Sequence, residues 1–344
     1  MNSRRTLMAG IAALAAGFIM ALPLRAEPAQ NWDEVVAAAK KEGGLTLYST
    51  VAGSPQTHKI MALFQQRYGI PITYLDGRPS EIQERLRTEL ATGRPKADIL
   101  LTGANAFNVL HSWGAFQPHG EVPNIGKLTL DTVNDEDVPV YINCYGLEIN
   151  TKLVPAAEEP KSWFDLLDPK WKGKMLSDSM SAPGAAQTWF SVTNHAFGSD
   201  FHRKLAKQDL TYSRETRENE RRLARGEFAI YVPFTLGDIA AYEGLPVKPI
   251  VPQEGVPYTP FSVALIKGAT HPNAARVLLN FYLDPEAQLV YASDGFPPST
   301  GGLGDKVPEK WRWLINAKRL GHQSADLAQH KKNMQLAQEI YGKQ

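Results

Sequence analysis

Cysteine is nearly absent from this chain: Cys144 stands alone, so no internal disulfide can form and the hydrophobic core must hold the fold. Its setting, VYINCYGLEI, is an apolar, strand-like run in which cysteine acts as a small hydrophobe rather than a nucleophile or metal ligand. Neither sign of charge is in excess, with 37 Lys and Arg against 36 Asp and Glu and no block of either. That balance argues against a nucleic-acid partner or any polyanion surface. Beyond Leu24 no apolar run is long enough to span a membrane, and internal repeats and low-complexity tracts are missing. Catalytic signatures are missing as well. There is no G-x-S-x-G elbow and no H-E-x-x-H, SAPGAA is not an elbow, and Glu158 and Glu159 sit in a Pro-bounded loop. The chain is therefore expected to be neither an enzyme nor a cofactor carrier.

What is present begins with a leader. Residues 1–26, MNSRRTLMAGIAALAAGFIMALPLRA, combine a basic start at Arg4 and Arg5, an apolar stretch from Leu7 to Leu24, and a small residue, Ala26, at a cleavable position. This is an export signal removed on maturation, and the expected compartment is the periplasm. A membrane anchor is the competing reading. SRRTLM also resembles the twin-arginine signal, so the general and the twin-arginine routes both stay open. Cleavage removes Arg4, Arg5 and Arg25 and no acid, leaving 34 basic against 36 acidic residues.

The mature chain, with room for about two domains, opens with alternating helix and strand signals. NWDEVVAAAKKEG reads as a helix stopped by Gly43, LTLYST as a strand, QTHKIMALFQQRYG as a helix, IPITYLDG as a strand, PSEIQERLRTELATG as a helix and ADILLTG as a strand. Such alternation predicts a mostly parallel sheet flanked by helices, with ligands beyond the carboxyl ends of the strands. VPVYINCYGLEIN is a longer extended run, followed by a second α/β unit with strands at KMLSD and FAIYVPF. VKPIVPQEGVPYTPFSVALIKG is a second long extended run, then HPNAARVLLNFYLDPEAQLVYAS reads as one helix and the remainder as a charged, mostly helical segment.

YGLEINTKLVP, EEPKSWFDLLDPKWKGKM, ARGEFAI, VPQEGVPY and GATHPNAARVLLNFYLDPEAQ occur in that order. Together they resemble the extracellular solute-binding proteins of bacterial ABC importers, in the branch that contains ferric-ion, thiamine, phosphonate and sugar-phosphate binders. The resemblance covers nearly the whole mature chain. It implies an α/β, two-lobed type II periplasmic binding protein whose chain crosses twice between lobes, with a ligand cleft between them. The implied organisation is residues 27–140 and 260–310 in lobe 1, 141–259 in lobe 2, and 311–344 as a C-terminal helical segment. It further implies a monomeric receptor that closes over a small molecule and delivers it to a membrane permease. SWFDLLDPKWKGK and the HPNAAR helix read as core packing.

The resemblance also frames the ligand question. Ferric-ion binders of this branch carry adjacent tyrosines after the strand that follows GE, and a histidine at the first strand-to-helix junction. Here GEFAIYVPFTLGD has Tyr231 without a tyrosine neighbour, and LYSTVAGSPQT has no histidine before His58. Hard Fe(III) favours phenolate and carboxylate oxygens, so iron is the secondary expectation and no metal site is assigned. The primary one is a small anion, with organic carboxylate, phosphate ester and phosphonate all open. Hydroxyls and N–H groups at strand ends would bind it. In the first lobe these are Ser49, Thr50, Gly53, Ser54, Ser80, Thr102, Gly103 and Asn105, and in the second Ser181, Gly184, Ala185, Gln187 and Thr235. Arg78 is the expected countercharge, and Tyr231 and Tyr258 the expected aromatic contacts.

Overall fold

A computed structural model describes residues 31–130 and 135–342; the stretch 1–26, read above as an export signal, lies outside the described residues. The first part of the chain runs α1 (Trp32–Glu42), β1 (Leu45–Ser49), α2 (Pro55–Tyr68), β2 (Ile72–Asp76), α3 (Pro79–Ala91), β3 (Ile99–Gly103), α4 (Ala104–Ser112) and a short β4 (Phe116–Gln117). Local chemistry sets these limits. Asn31 caps α1 by accepting from the Asp33 N–H, and Gly43 closes it in the left-handed region. Ser54 accepts from the Thr57 N–H at the start of α2, with Pro55 at the first position where a missing N–H costs nothing.

β5 (Asp137–Asn150) then leads through a Pro-rich stretch to β6 (Met175–Ser177), α5 (Ala185–Phe197), α6 (Ser199–Ala206), β7 (Thr211–Tyr212), α7 (Thr216–Ala224), β8 (Ile230–Thr235) and β9 (Val247–Ile250). The chain returns along β10 (Val256–Ile266) into α8 (Pro272–Tyr282) and α9 (Pro285–Ala292), and closes with α10 (Glu309–Ile315), β11 (Arg319–His322) and α11 (Leu327–Tyr341). The two long extended runs are thus β5 and β10, with a turn before Val256 separating β9. The region read as one helix from His271 is two: Asp284 accepts from the Glu286 N–H and, with Pro285, starts α9 afresh.

β1 pairs in parallel with β2 and with β3, and β10 lies antiparallel to β3. β5 pairs antiparallel with β10 over its first half, then with β8 and β9 over its second, and β6 and β7 continue in parallel. Two lobes therefore share one continuous sheet through β5 and β10. Side chains alternate across it. Leu45, Leu47, Ile99 and Leu101 join one core with α1, α2, α8 and α9, while Tyr48 and Leu100 face the other with Ile82, Leu86 and Phe107. The second lobe has its own core around Trp163, Trp189, Phe190, Ile230 and Phe234, and Trp311, Leu314 and Ala337 of the C-terminal segment pack into it.

SWFDLLDPKWKGK is structural, as its sequence suggests. Trp163 and Trp171 are buried, and the Trp163 indole donates to the Gly255 carbonyl at 2.8 Å. Cys144 is buried in β5, where loss of solvent pushes its thiol up to about 12 and leaves it inert. No helix among the described residues is long and apolar enough to cross a membrane.

Candidate functional site

A cavity of about 320 Å³ lies where the lobes meet. Its floor is β5, through Tyr141 and Asn143. One wall is the β1–α2 junction, with Val51, Ala52, Ser54 and Gln56, together with Tyr291, Asp294 and Phe296 from the end of α9. The opposite wall carries Arg217 of α7 and Gly237, Asp238 and Ala241 from the turn after β8. The junctions that build it sit at the carboxyl ends of β1 and β8, as the parallel-sheet rule requires. Gly237 is needed for this closeness: a Cβ there would lie 2.6 Å from the Phe296 ring of the other lobe. A larger depression of about 770 Å³ runs along α3 past Ser80, Arg85 and Lys96, within the first lobe only.

Of the residues expected from sequence, Ser54 lines the interlobe cavity, while also capping α2 and donating to the Gln56 side chain at 3.1 Å. Others satisfy each other nearby. Ser49 accepts from the Val51 N–H at 3.0 Å, the Gly53 N–H donates to Asp76, and Thr50 and Thr102 pair through their hydroxyls at 3.0 Å. Gly103 is a packing requirement, since a Cβ would come 3.2 Å from the Phe261 ring. Asn105 reaches across to the second lobe and donates to the Thr188 hydroxyl at 3.0 Å, and that hydroxyl lies 3.4 Å from Gln323. This forms a polar seam beside the cavity.

The remaining expected residues stand apart from the cavity lining. Arg78 is exposed at the start of α3 and Ser80 borders the α3 depression. Ser181 pairs weakly with Ser179 at 3.5 Å, and Gly184 and Ala185 open α5. Gln187 is buried, its amide donating to Ser191 at 2.9 Å. Thr235 ends β8 half-buried. Tyr231 is fully buried and donates to Asp178 at 2.7 Å; burial, with Asp178 beside it, pushes its phenol well up. Tyr258 is half-buried, with the Arg319 guanidinium 5.6 Å from its ring centre and His322 at 5.3 Å.

Sequence reasoning missed the charged wall. Asp238 is half-buried at the cavity, and loss of solvent pushes its carboxyl up while Arg217 pulls it down. Behind it lie Glu148 on β5 and Glu220 on α7, both buried. Burial first, and the neighbouring Glu220 and Asp238 second, push Glu148 up to about 9, and neither of its oxygens has a hydrogen-bond partner. Glu220 is raised by the same burial and by Asp238, and accepts from the Tyr242 hydroxyl. Arg217 makes no ion pair among the described residues, whereas Arg222 and Arg225 of the same segment are held by Glu227. One signal was available: Glu148 is the single charge inside the apolar run VPVYINCYGLEI, and a charge in such a strand is either paired or functional. Among the described residues no group of three or more His, Cys, Asp or Glu is arranged to hold a metal ion.

A family model described as bacterial extracellular solute-binding protein matches residues 59–313. A protein of Haemophilus influenzae, uncharacterized, is 32% identical over 159 residues, 43% of this chain and 45% of its own, so the chain spans under half of that relative's length. A protein of Salmonella typhi, provisionally named a 2-aminoethylphosphonate-binding periplasmic protein, is 28% identical over 239 residues, 65% of this chain and 68% of its own. Among solved structures, iron-bound HitA from Pseudomonas aeruginosa superposes with a TM-score of 0.70 at 18% identity, covering 86% of this chain and 99% of that one. At that identity the likeness concerns the fold alone.

Proposed function

The chain belongs to the bacterial extracellular solute-binding proteins, with the type II periplasmic binding fold, and from that premise we propose that it is the periplasmic receptor of an ABC importer for a small anionic solute. The observation that carries this reading is Arg217, an exposed arginine without an ion pair among the described residues that lines the interlobe cavity. A guanidinium there binds carboxylate, phosphate ester or phosphonate through two parallel hydrogen bonds. Ser54 and the N-terminus of α2 oppose it across the cavity and supply dipoles of the right sign. Arg217 thus takes the role that sequence assigned to Arg78. The naming of the Salmonella relative favours a phosphonate within this class.

In this reading the exported, mature chain acts alone, without cofactor or catalysis. The ligand bridges the two walls and so binds the closed form better than the open one, and the closed form is what a permease receives. Lobe 1 comprises residues 27–140 and 260–310 and lobe 2 residues 141–259, with the segment from 311 onward docked on lobe 2. Iron is the second reading, favoured by the phenols of Tyr141 and Tyr291 and the carboxyls of Asp238 and Asp294 in the cavity lining, whereas Tyr231 is committed to Asp178.

A thermal-shift panel of organic acids, phosphate esters, phosphonates, inorganic oxyanions and Fe(III) tests the proposal. A ligand at 100 times its Kd adds about 2.7 kcal/mol of stability. Stabilisation by an anionic solute is the expected outcome, and stabilisation by Fe(III) alone overturns it.

A further inference from the structure

The two crossing strands carry the joint between the lobes, and their neighbours in the sheet show where it lies. Along β5 the first lobe ends at Tyr141, bridged to Pro298, and at Ile142, whose N–H donates to the Pro297 carbonyl at 3.0 Å; the second lobe begins at Tyr145, paired with Thr235 of β8. Along β10 the second lobe ends at Tyr258, paired with His322 of β11, and the first begins at Phe261, paired with Gly103 of β3. Among the described residues, Asn143 and Cys144 of one strand and Thr259 and Pro260 of the other are therefore flanked only by the partner crossing strand. Rotation of the lobes falls on these four residues, where the sheet is two strands wide.

Asn143 and Thr259 stand directly opposite each other at this joint, on one side of the sheet with Cβ atoms about 5 Å apart. The Asn143 amide oxygen and the Thr259 hydroxyl are both shut off from solvent, and neither has a hydrogen-bond partner. Closed to solvent, they are closed to a solute in the cavity as well. Tyr145, two residues along from Asn143, lies near both: burial pushes its phenol up, and Thr259 and Asn143 hold it back. A hydroxyl donor and an amide acceptor on facing side chains are made to pair, yet here they do not. The Thr259 methyl is packed on Gly103 at the end of β3, 3.3 Å from where a Cβ would stand. Methyl and hydroxyl share one Cβ, so fixing the first fixes the second. In this form the lobes also touch, Gly237 against the Phe296 ring and Asn105 on Thr188. Buried polar groups without partners are rare and call for a reason.

We propose that Asn143 and Thr259 form a hinge switch, their side chains hydrogen-bonded to each other when the lobes are open and parted when the lobes close. Opening draws Gly103 away from the joint and frees Thr259 to turn its hydroxyl to the Asn143 oxygen. The bond favours the open form, which keeps the unliganded receptor ready for entry and lowers its affinity by the same factor. This goes beyond the anion reading and is the same whichever solute the cavity takes.

Spin labels on Lys59→Cys of α2 and Arg221→Cys of α7, exposed positions on either side of the cavity, read the lobe separation in the unliganded protein. The native sequence is expected to give a short and a long distance. Thr259→Val keeps the shape and removes the hydroxyl, and is expected to shift the balance toward the short distance by about five-fold. Thr259→Ser keeps the hydroxyl and is expected to retain the long distance. Melting temperatures check the fold, and Asn143→Leu, which removes the acceptor, should give the same shift if Thr259→Val does not fold. An unchanged balance in Thr259→Val, as a water bridging the pair in both forms would give, overturns the switch. So does a shift toward the long distance, or a single short distance in the native protein, which leaves the pair no second form to serve.

Discussion

The first-lobe wall of the cleft and the second-lobe wall are both strand-to-helix junctions, but they handle polarity in opposite ways. On the first lobe, Ser49, Thr50, Ser54, Thr102 and the Gly53 N–H are spent on one another, on helix caps or on Asp76. At the cavity, Asp294 of this wall accepts from Gln56 at 2.8 Å, while the buried Tyr291 hydroxyl is left without a hydrogen-bond partner among the described residues. On the second lobe, Arg217, Asp238, Glu220 and Glu148 are crowded together with few partners, and three carboxyls are raised. The first wall is largely satisfied within the protein, and the second keeps buried carboxyls that hold their protons beside an arginine without an ion pair among the described residues. Groups with unmet demands, rather than groups of the right type, mark where a ligand belongs.

The sharpest way to break this contrast is Arg217→Ala, which is expected to weaken an anionic solute by about 1.5–3 kcal/mol, or about 10- to 150-fold, in calorimetry. Arg78→Ala is the paired control on the first lobe; an equal loss there would return the countercharge to the β2–α3 junction. Next comes Gly237→Ala. Its added methyl meets the Phe296 ring, so closure should cost about 1–3 kcal/mol, read as weaker binding with little change in the melting temperature of the unliganded protein.

The buried carboxyls predict a pH effect. A carboxyl raised from its ordinary value to about 9 binds its proton more tightly when folded. Its contribution is complete below the unfolded value of about 4.3 and is lost as pH rises through the folded one. Glu148→Gln removes this term, so its stability relative to the native protein should grow as pH rises between about 5 and 9, by at most about 1.4 kcal/mol per pH unit. A parallel pair of melting curves across that range would show that Glu148 ionises freely and that burial does not hold its proton as described. The smallest expected effect is Asn105→Ala in the polar seam, which removes one neutral hydrogen bond between lobes. About 1 kcal/mol is at stake, visible as a modest opening of the unliganded molecule in small-angle scattering.

Much of the fold is legible in the sequence because its period is simple. Leu45, Leu47 and Tyr48 alternate as a strand buried on both faces must, and β5 and β10 stand out as the two long apolar runs. α4 is harder to read, since Gly103 passes straight from β3 into the helix with no side-chain cap to mark its start. The site is legible only in part. Hydroxyls at strand ends look alike whether they cap a helix or meet a ligand, and most of them here are committed within the protein. Arg217 is one of five arginines between residues 214 and 225, and only the packing of the lobes selects it. Glu148 is the exception, a charge in an apolar strand.

The direct pairing of the two crossing strands has a mechanical consequence. β5 and β10 are paired from Tyr258 opposite Cys144 to Ala264 opposite Asp137, with one shift of register between Phe261 and Ser262, so sliding one lobe past the other would tear a ladder of backbone bonds, each worth about 1 kcal/mol. Twisting the ribbon along its length breaks none of them. The lobes are thus joined by a torsion spring rather than a slack tether, and a small rotation about the ribbon would open the widest gap at the rim farthest from it.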